Sequence, residues 1–518
     1  MPRATTVRSS EKSGSGRFDE LAVLFDQGQY TKAAALYDDV FTVASAPVEA
    51  TLLRARLYMR SAEMPKSIAL LNRIRKFASG ALQVRLQMLL GESYASSGDL
   101  KAADKQLDAA FAAAKAANDK ELIADVAFRM ARRFLLFDTQ TAKAREYLPF
   151  IRAATSIDAR LNALHLESWI LSHEARTRDQ ARVLVQLLEV TDPQSPAHTE
   201  HRLRATQTLA ALARETYLPE AVPVVERQLA GVEWPADFIV ALFQTTKAIG
   251  WAKALQGDYF NAFRYLRRSA LAAPNAAWRA MALCDRAYLA RTQRQDLWFR
   301  QELSDAEEAA ESADWESCAD EAVLALVTLA ELLAPIDAAK ASEYLARFRE
   351  TAPLRNARSL LRNDARFEAL IEYSTGVVDV HLDNRRLGIS RIKSTLTTFE
   401  SYGFEWRAGR AALRLYEFSN KPAYLERAKH FLRNYGNSWL GEDLSRALKE
   451  TRGDSTGLTP MQDKVFRLIC QGLSNAEIGE SLGISPMTVA NHAKAVLKTF
   501  GVSSRHALIA EAVRRDII

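Results

Sequence analysis

Cysteine is scarce in this chain of 518 residues, and its three copies lie far apart. Cys284, Cys318 and Cys470 form no Cys-x-x-Cys pair, so the sequence indicates neither a disulfide framework nor a zinc site. The eight histidines show no metal-ligand spacing such as His-Glu-x-x-His. We therefore expect no bound metal or cofactor, and a reducing cytoplasm is the expected setting.

Long apolar runs are also missing. The N-terminus has no apolar signal segment, and the longest run, from Ala322 to Ile336, is interrupted by Thr328 and Glu331. That run falls short of a membrane span and predicts a buried helix instead. No contact with a membrane is expected.

The patterns that indicate catalysis or nucleotide binding are absent as well. There is no Gly-x-x-x-x-Gly-Lys-Ser/Thr loop, so a switch driven by ATP is not expected. No alternation of strands and helices precedes the C-terminal region, which argues against an α/β receiver domain or an α/β ligand-sensing domain. No set of nucleophile, base and oxyanion donors can be assembled, so we do not expect an enzyme.

What the chain does contain is helix-forming sequence with a short recurring motif. Hydrophobic residues make up 48% and charged residues 25%, which is ordinary for a soluble globular protein. A turn, then a small residue, then Leu or Tyr returns after 34 and again after 36 residues. The copies begin at Gly28, Ala62 and Gly98, with looser ones at Thr139, Gly257 and Ile336.

This motif predicts an all-α fold made of helix pairs. A period near 34 is typical of tetratricopeptide-like repeats, and the segment from Leu90 to Ala110 most resembles that family. Each pair exposes an apolar face, so the pairs must stack, and an α-solenoid results. We expect about a dozen pairs in a repeat domain over residues 17–451, a disordered tail over 1–16 and a linker over 452–457.

The last stretch, residues 458–518, carries helix starts and stops at close spacing. Thr459 to Gln462 and Ser474 to Glu477 both have the form of a capping box, and Ser485 followed by a proline opens a third helix. Glycines end the first two helices. A short helix, a tight turn and a longer helix follow one another, which predicts a helix-turn-helix.

The longer helix, about residues 486–500, divides into two faces at roughly 100° per residue. The apolar face is predicted to pack inward and comprises Val489, Ala493, Val496 and Phe500. The opposite face is predicted to enter the major groove, where Asn pairs with adenine and Lys reaches guanine or phosphate. Its residues are Met487, Asn491, Lys494 and Lys498. Free amides at the starts of the second and third helices suit phosphate. The residues expected there are Ser474, Asn475, Ser485 and Thr488.

One set of residues in this stretch matches a known pattern. The matching residues are Leu458-Thr459, Gly472 to Asn475, Glu477-Ile478, Leu482, Ile484-Ser485, Thr488-Val489, His492, Gly501-Val502, Arg505 and Ala507. With them, about sixty residues of 518 resemble the C-terminal DNA-binding domain of LuxR-type transcriptional regulators. Gly479 departs from the pattern, where Ala is usual, and so does Ala490, where Lys is usual. The resemblance implies a four-helix domain whose third helix reads DNA and whose fourth often helps dimerise.

Two more residues join the expected DNA contacts. They are His492, on the flank of the third helix, and Arg505, which belongs to the matching pattern. From Ser455 to Ile518, seven Lys and Arg stand against five Asp and Glu, a net charge of +2. One domain with so little charge should bind DNA poorly alone, so we expect a homodimer, which doubles the phosphate contacts.

The sequence as a whole favours a cytoplasmic, bacterial-type transcriptional regulator that associates with the nucleoid when it binds double-stranded DNA. Its helical repeats would sense a protein, a peptide or a small molecule, or set the oligomeric state. The alternative is an interaction scaffold whose C-terminal domain serves docking or dimerisation with weak DNA affinity. Ala490 and the low local charge motivate that alternative.

Aromatic residues are enriched in the middle of the repeat region. They are Trp251, Tyr259, Trp278, Trp298 and Trp315. These side chains could line a ligand pocket on the concave face. Aromatic residues in repeat proteins more often fill the joints between helix pairs, and we favour that interpretation.

Overall fold

The computed structural model describes residues 14–41, 46–230, 234–319, 321–351, 354, 361, 364–454 and 458–514. Regular structure in these ranges is entirely helical, without a strand, as expected for the all-α class. Within the same ranges, no helix is both long and apolar enough to cross a membrane. The chain divides into two compact units, Met1–Arg407 and Ala408–Ile518.

The first unit is a succession of helices. They are α1 (Gly14–Asp26), α2 (Tyr30–Val40), α3 (Val48–Arg60), α4 (Met64–Ile74), α5 (Gly80–Ser97), α6 (Leu100–Ala116), α7 (Lys120–Asp138), α8 (Thr141–Arg145), α9 (Leu148–Arg152), α10 (Ile157–His173), α11 (Thr177–Val190), α12 (Thr199–Glu215), α13 (Ala221–Ala230), α14 (Ile239–Leu255), α15 (Tyr259–Leu271), α16 (Ala276–Thr292), α17 (Asp296–Glu311), α18 (Leu324–Leu333), α19 (Ala338–Arg349), α20 (Ala365–His381) and α21 (Arg385–Ser401). Short 3-10 helices occur at Arg75–Phe77, Pro196–His198 and Ala236–Phe238.

The chain enters the second unit inside α22 (Glu405–Ser419). The helices that follow are α23 (Pro422–Leu432), α24 (Trp439–Asp454), α25 (Pro460–Cys470), α26 (Asn475–Leu482), α27 (Pro486–Phe500) and α28 (Arg505–Arg514). The last four are the helices of the predicted C-terminal domain.

Helices of the first unit pack as consecutive pairs, such as α3 with α4, α5 with α6, α14 with α15 and α16 with α17. The first helix of one pair also packs against the first helix of the next, as α3 does on α5 and α5 does on α7. Each pair therefore covers the apolar face of its neighbour. This is the stacking of a tetratricopeptide-like α-solenoid, as predicted.

The recurring motif lies at the turn inside each pair, and its first residue adopts a left-handed conformation. The φ angles are 73° at Gly28, 57° at Ala62, 90° at Gly98, 53° at Thr139 and 84° at Gly257. The next N–H then reaches back five residues to close the helix end, as Asp99 N does to Tyr94 O at 3.0 Å. The faint copy at Ile336 lies between α18 and α19 but lacks the left-handed residue.

Small residues let the two helices of a pair approach closely. A Cβ added at Gly91 would lie 2.6 Å from Leu107 Cγ, and one at Gly250 would lie 2.9 Å from Leu266 Cγ. Ala103 is fully buried between the same helices as Gly91. The predicted order of turn, small residue and Leu is thus a packing pattern: the small residues make room for the leucine.

The aromatic residues of the middle region mostly fill joints between helices. Trp251, Trp278 and Trp315 are buried, and the Trp278 ring lies 5.0 Å from that of Phe243. Trp298 differs, because it stays 38% exposed. The interpretation that these aromatic side chains fill joints between helices is confirmed for Trp251, Trp278 and Trp315, whereas Trp298 lies at the surface.

Two predicted boundaries fall beside helix ends. The first helix already begins at Gly14, inside the expected tail of residues 1–16, and residues 1–13 lie outside the described residues. Helix α24 continues to Asp454, so the first part of the expected linker over 452–457 is helical. The remainder of that linker, 455–457, lies outside the described residues.

Candidate nucleic-acid interface

The four C-terminal helices enclose a hydrophobic cluster of their own. Its buried residues are Val465, Phe466, Ile469, Ile478, Val489, Ala493, Val496, Phe500, Leu508 and Ala512. Every one of α25 to α28 contributes to this cluster, and the Phe466 and Phe500 rings stack with centroids 4.9 Å apart. The cluster fixes the orientation of α27, and hence which of its side chains remain at the surface.

Both predicted capping boxes are present. Thr459 N donates to Gln462 Oε1 at 2.9 Å, and Gln462 N donates to the Thr459 hydroxyl at 3.4 Å. Ser474 N donates to Glu477 Oε2 at 2.7 Å, and Glu477 N donates to the Ser474 hydroxyl at 3.3 Å. These reciprocal bonds fix where α25 and α26 begin.

Helix α26 ends in the tight turn that the sequence predicts. Gly483 has a φ of 66°, and Ile484 N donates to Gly479 O at 3.0 Å. A Cβ on Gly479 would lie only 2.7 Å from Ile484 O, so the missing side chain at this position lets the turn fold close against α26. The turn sets the angle at which α27 leaves.

The start of α27 is capped by Ser485. Its hydroxyl accepts from Thr488 N at 3.1 Å and lies 2.8 Å from the Thr488 hydroxyl. The first turn of α27 has no acidic residue, whereas that of α26 has Glu477. Hydrogen bonds from the backbone and hydroxyl of Ser474 lower the pKa of Glu477, so its carboxylate stays charged. The start of α27 is therefore the more favourable of the two for an anion.

The two faces of α27 are as predicted from the sequence. The inward residues Val489, Ala493, Val496 and Phe500 are all buried. The outward residues Met487, Asn491, Lys494 and Lys498 are all exposed, Met487 by 72%. His492 is half-buried on the flank, and Ser485 and Thr488 are exposed at the start. Among the described residues, neither Lys494 nor Lys498 has an ion-pair partner, so both cations are available to a ligand.

Two of the predicted contact residues bind each other instead of pointing freely outward. The Arg505 guanidinium donates from one terminal nitrogen to Leu473 O at 2.8 Å and from the other to Asn475 Oδ1. It thereby fastens the start of α28 to the segment that leads into α26. Sequence spacing gave no sign of this contact, because its partners lie 32 and 30 positions earlier in the chain.

Comparisons with known proteins agree with this geometry over the C-terminal helices. Residues 456–512 match the family described as bacterial regulatory proteins, luxR family. A protein of Mycobacterium bovis and two of Mycobacterium tuberculosis, all described as HTH-type transcriptional regulators, are 45% identical over 58 residues. The match covers 11% of this chain and only 7% of each relative. The chain thus carries a LuxR-type helix-turn-helix domain at residues 456–512.

Solved structures resemble the chain over most of its length, at low identity. One is the APC/C hetero-tetramer Cut9–Hcn1, at 14% identity and a TM-score of 0.35, covering 96% of this chain and 89% of that one. Another is a Rap protein complexed with competence and sporulation factor, at 15% identity and a TM-score of 0.32, covering 84% and 98%.

Proposed function

We propose that this protein is a transcriptional regulator that recognises specific double-stranded DNA by placing α27 in the major groove. The observation that carries the proposal is the exposed row of Met487, Asn491, Lys494 and Lys498 on a helix whose opposite row is buried. A recognition helix needs hydrogen-bond donors and cations on its outward face and a rigid support behind it. The domain core supplies that support.

The side chains of α27 divide into base and phosphate contacts. Asn491 offers both a donor and an acceptor, which suits bidentate pairing with adenine. Lys494 and Lys498 carry the positive charge of this face, since Ala490 provides none. Ser485 and Thr488 would lie beside a backbone phosphate at the start of α27, with Ser474 beside another and His492 on the flank. Asn475 and Arg505 would act mainly by positioning α26 against α28.

Binding measurements on the full-length protein test the reading face. Sites are first selected from random double-stranded DNA, and affinities are then measured for Asn491→Ala and Lys494→Ala. The first should relax discrimination at one base pair by about 1–3 kcal/mol. The second should weaken binding to all sequences alike and lower the salt slope by about one. Lys464→Ala removes the same charge from the exposed face of α25 and should have little effect. Unchanged binding in both α27 variants would exclude this face.

We also propose that the protein binds DNA as a homodimer through α28. Val513 is 60% exposed on this helix, and Ile509 lies one turn earlier, half-buried. An apolar pair at this spacing, with Val513 exposed and Ile509 partly accessible, suits a self-complementary helix contact. Sedimentation should show that Val513→Glu favours the monomer, whereas Gln471→Glu, which adds the same charge at another exposed position, leaves the dimer intact. A monomeric wild-type protein that binds its site fully would contradict the dimer.

The helical repeats would serve as the sensor or the oligomerisation module of the regulator. Most of their helices lie in the larger of the two units, and the stacked pairs provide the extended surface that repeat proteins use for binding. An interaction scaffold with weak DNA affinity is the alternative, because the domain's net charge is only +2 over residues 455–518. Salt titration separates the two: specific binding falls steeply with salt, whereas a scaffold would enrich no sequence during selection.

A further inference from the structure

Two distant parts of the first unit meet around a cavity of about 460 Å³. One wall comes from α2 and α3, and the other comes from α12, the 3-10 helix Ala236–Phe238 and α14. Thr31 on one wall contacts Asp237 on the other, 206 positions later in the chain. The cavity is therefore built by the folded array, and no single helix pair contains it.

Polar contacts hold the two walls at a fixed spacing. Thr31 donates to the Asp237 carboxylate twice, from its hydroxyl and from its backbone N–H at 3.3 Å. The Tyr30 hydroxyl donates to Glu200 Oε2 at 2.9 Å, and the Tyr30 ring lies 5.9 Å from that of Phe238. A ligand would meet a preformed site, which reduces the ordering that binding requires.

Positive charge exceeds negative charge at one end of this cavity. Arg60 and Arg204 share a single carboxylate, that of Glu200, with Arg204 Nε 2.7 Å from Oε1 and Arg60 on Oε2. Both arginines line the cavity, whereas Glu200 is not among its lining residues. Their side chains remain 31% and 49% exposed, so guanidinium N–H groups are left over for a further acceptor.

The surroundings extend the positive region. Arg129 and Arg132 share Glu92 in the same way, at 3.2 and 2.8 Å from its Oε1. Burial lowers the pKa of Arg132 against the opposing effect of Glu92, and the positive charges of Arg129, Arg60 and Arg204 lower it further. Asp237 is the one acidic residue among the described residues of the lining, and it accepts hydrogen bonds from Thr31. Asp26 and Asp125 interact with Arg56 and Arg129 and do not line the cavity.

The rest of the lining combines hydrogen-bonding and apolar side chains. Gln207 on α12 donates to Gln244 on α14 within one wall of the cavity, and Ser61 and Thr31 add hydroxyl groups. The apolar part comes from Ala34, Leu57, Val240 and Ala241. A volume of several hundred Å³ with a few polar groups at defined places is typical of small-molecule sites.

We propose that this cavity binds a small anionic metabolite that carries a carboxylate or phosphate group on a hydrogen-bonding body. Arg60 and Arg204 hold the anionic group, because guanidinium forks match the geometry of both acceptors. Gln207 and Gln244 bind the body. This ligand would be the effector for the sensory role proposed above. Only the effect of the ligand on DNA binding rests on that proposed role; its binding in the cavity does not.

Calorimetric titration of the full-length protein without DNA tests the site. The probes are citrate, inorganic phosphate and glucose 6-phosphate, with glucose as the uncharged counterpart. At least one anion should bind with a stoichiometry of one, and glucose should not bind. Binding of citrate alone would identify a carboxylate ligand, and binding of the phosphates alone would identify a phosphorylated one. Because no DNA is present, failure here and failure of DNA recognition are separate results.

Variants decide whether the bound anion occupies this cavity. Arg204→Gln should lower the affinity about tenfold or more, since it removes a charged hydrogen-bond donor from an exposed helix position. Ser61→Trp should abolish binding by filling the space from an exposed position. Arg145→Gln breaks a comparable exposed pair with Glu174 elsewhere and should leave affinity unchanged. Binding of none of the anions, equal binding of glucose, or wild-type affinity in both cavity variants would overturn the proposal.

Discussion

At the scale of single residues, the Arg505 guanidinium has an internal role that its place in a DNA-binding pattern does not reveal. It bridges Leu473 O and Asn475 Oδ1, and both bonds are formed without DNA. A charged donor to two acceptors stabilises more than a neutral hydrogen bond does. Arg505 therefore orders the entrance to α26, on whose position the turn before α27 depends.

Replacing Arg505 by Ala should loosen α26. The lost bonds are worth about 1.5–3 kcal/mol for a charged donor, so peptides covering residues 473–482 should exchange amide hydrogen faster by mass spectrometry. DNA affinity should fall for all sequences alike. Arg514→Ala removes an arginine from the same helix whose ion-pair partner among the described residues is Glu511, and it should change neither quantity. If amide exchange is unaltered in the Arg505 variant, Arg505 does not order α26, and any effect on DNA affinity would come from a direct DNA contact.

His165 carries a pH dependence that follows from its burial. Burial, then the neighbouring His201 at 4.9 Å between rings, lowers the pKa of His165 to about 3. The folded pKa lies below the unfolded one, so between the two the unfolded chain binds more protons than the folded chain. The stability contribution is complete above pH 6.5 and is lost as the pH falls toward 3.

His165→Gln should therefore reduce the acid sensitivity of the first unit. Between pH 6.5 and 5.5 the wild type should lose about 1 kcal/mol more unfolding free energy than the variant, measured by urea denaturation with circular dichroism. His430→Gln, at an exposed position, should follow the wild type. If the unfolding free energies of wild type and the His165 variant depend equally on pH, then His165 is protonated as readily in the folded state as in the unfolded state.

Residue patterns predicted the exposed face of α27 but not the contacts of Arg505. A 3.6-residue period separates buried from exposed positions within one helix, so Asn491 and Lys494 were predictable from local sequence. The bond from Arg505 to Leu473 O joins positions far apart in the chain, and only packing brings them together. Local patterns carry no information about such a contact.

At the scale of helices and turns, the repeat is set by where the chain can adopt a positive φ. The motif was recognisable at Gly28, Gly98 and Gly257, where glycine marks this position, and also at Ala62 and Thr139. The turns after α10, α16, α20 and α22 use Ala175, Arg294, Asp383 and Asn420 in the same conformation. A side chain is tolerated at such a position when the surrounding pair fixes the turn, so residue type alone does not mark these turns.

Gly91→Ala should destabilise the α5–α6 pair, although Ala is the better helix former by about 1 kcal/mol. The added Cβ would lie 2.6 Å from Leu107 Cγ, and overpacking of this kind costs about 1–3 kcal/mol, so the clash outweighs the helix propensity. The melting temperature should fall. Gly436→Ala, with nothing within 4 Å of its added Cβ, should leave it unchanged.

A second substitution distinguishes the clash from other effects of alanine. If the added Cβ clashes with Leu107, Gly91→Ala should be tolerated far better in a Leu107→Ala background, and the double-mutant cycle should show coupling. Additive effects of the two changes would show that the helices do not approach as closely as the geometry indicates.

At the scale of the whole array, contacts between distant pairs add to the contacts between neighbours. A simple solenoid is stabilised only by adjacent repeats, so local damage stays local. Here Tyr30 and Thr31 bind Glu200 and Asp237, and Arg407 binds Glu215, 192 positions away. Sequence periodicity predicts pairs and their order, but the pitch that brings these positions together depends on small rotations summed over many pairs.

Asp237→Ala should therefore loosen the beginning of the chain. The Asp237 carboxylate accepts two hydrogen bonds from Thr31, each worth about 0.5–1.5 kcal/mol, so amide exchange in α1 and α2 should rise severalfold, 206 positions from the substitution. Asp99→Ala removes a carboxylate that caps α6, through Ala102 N at 3.0 Å, and its effect should stay within that pair. If faster exchange after Asp237→Ala were confined to residues 236–255, the array would behave as a chain of nearest neighbours, and the two walls of the cavity would be independent of each other.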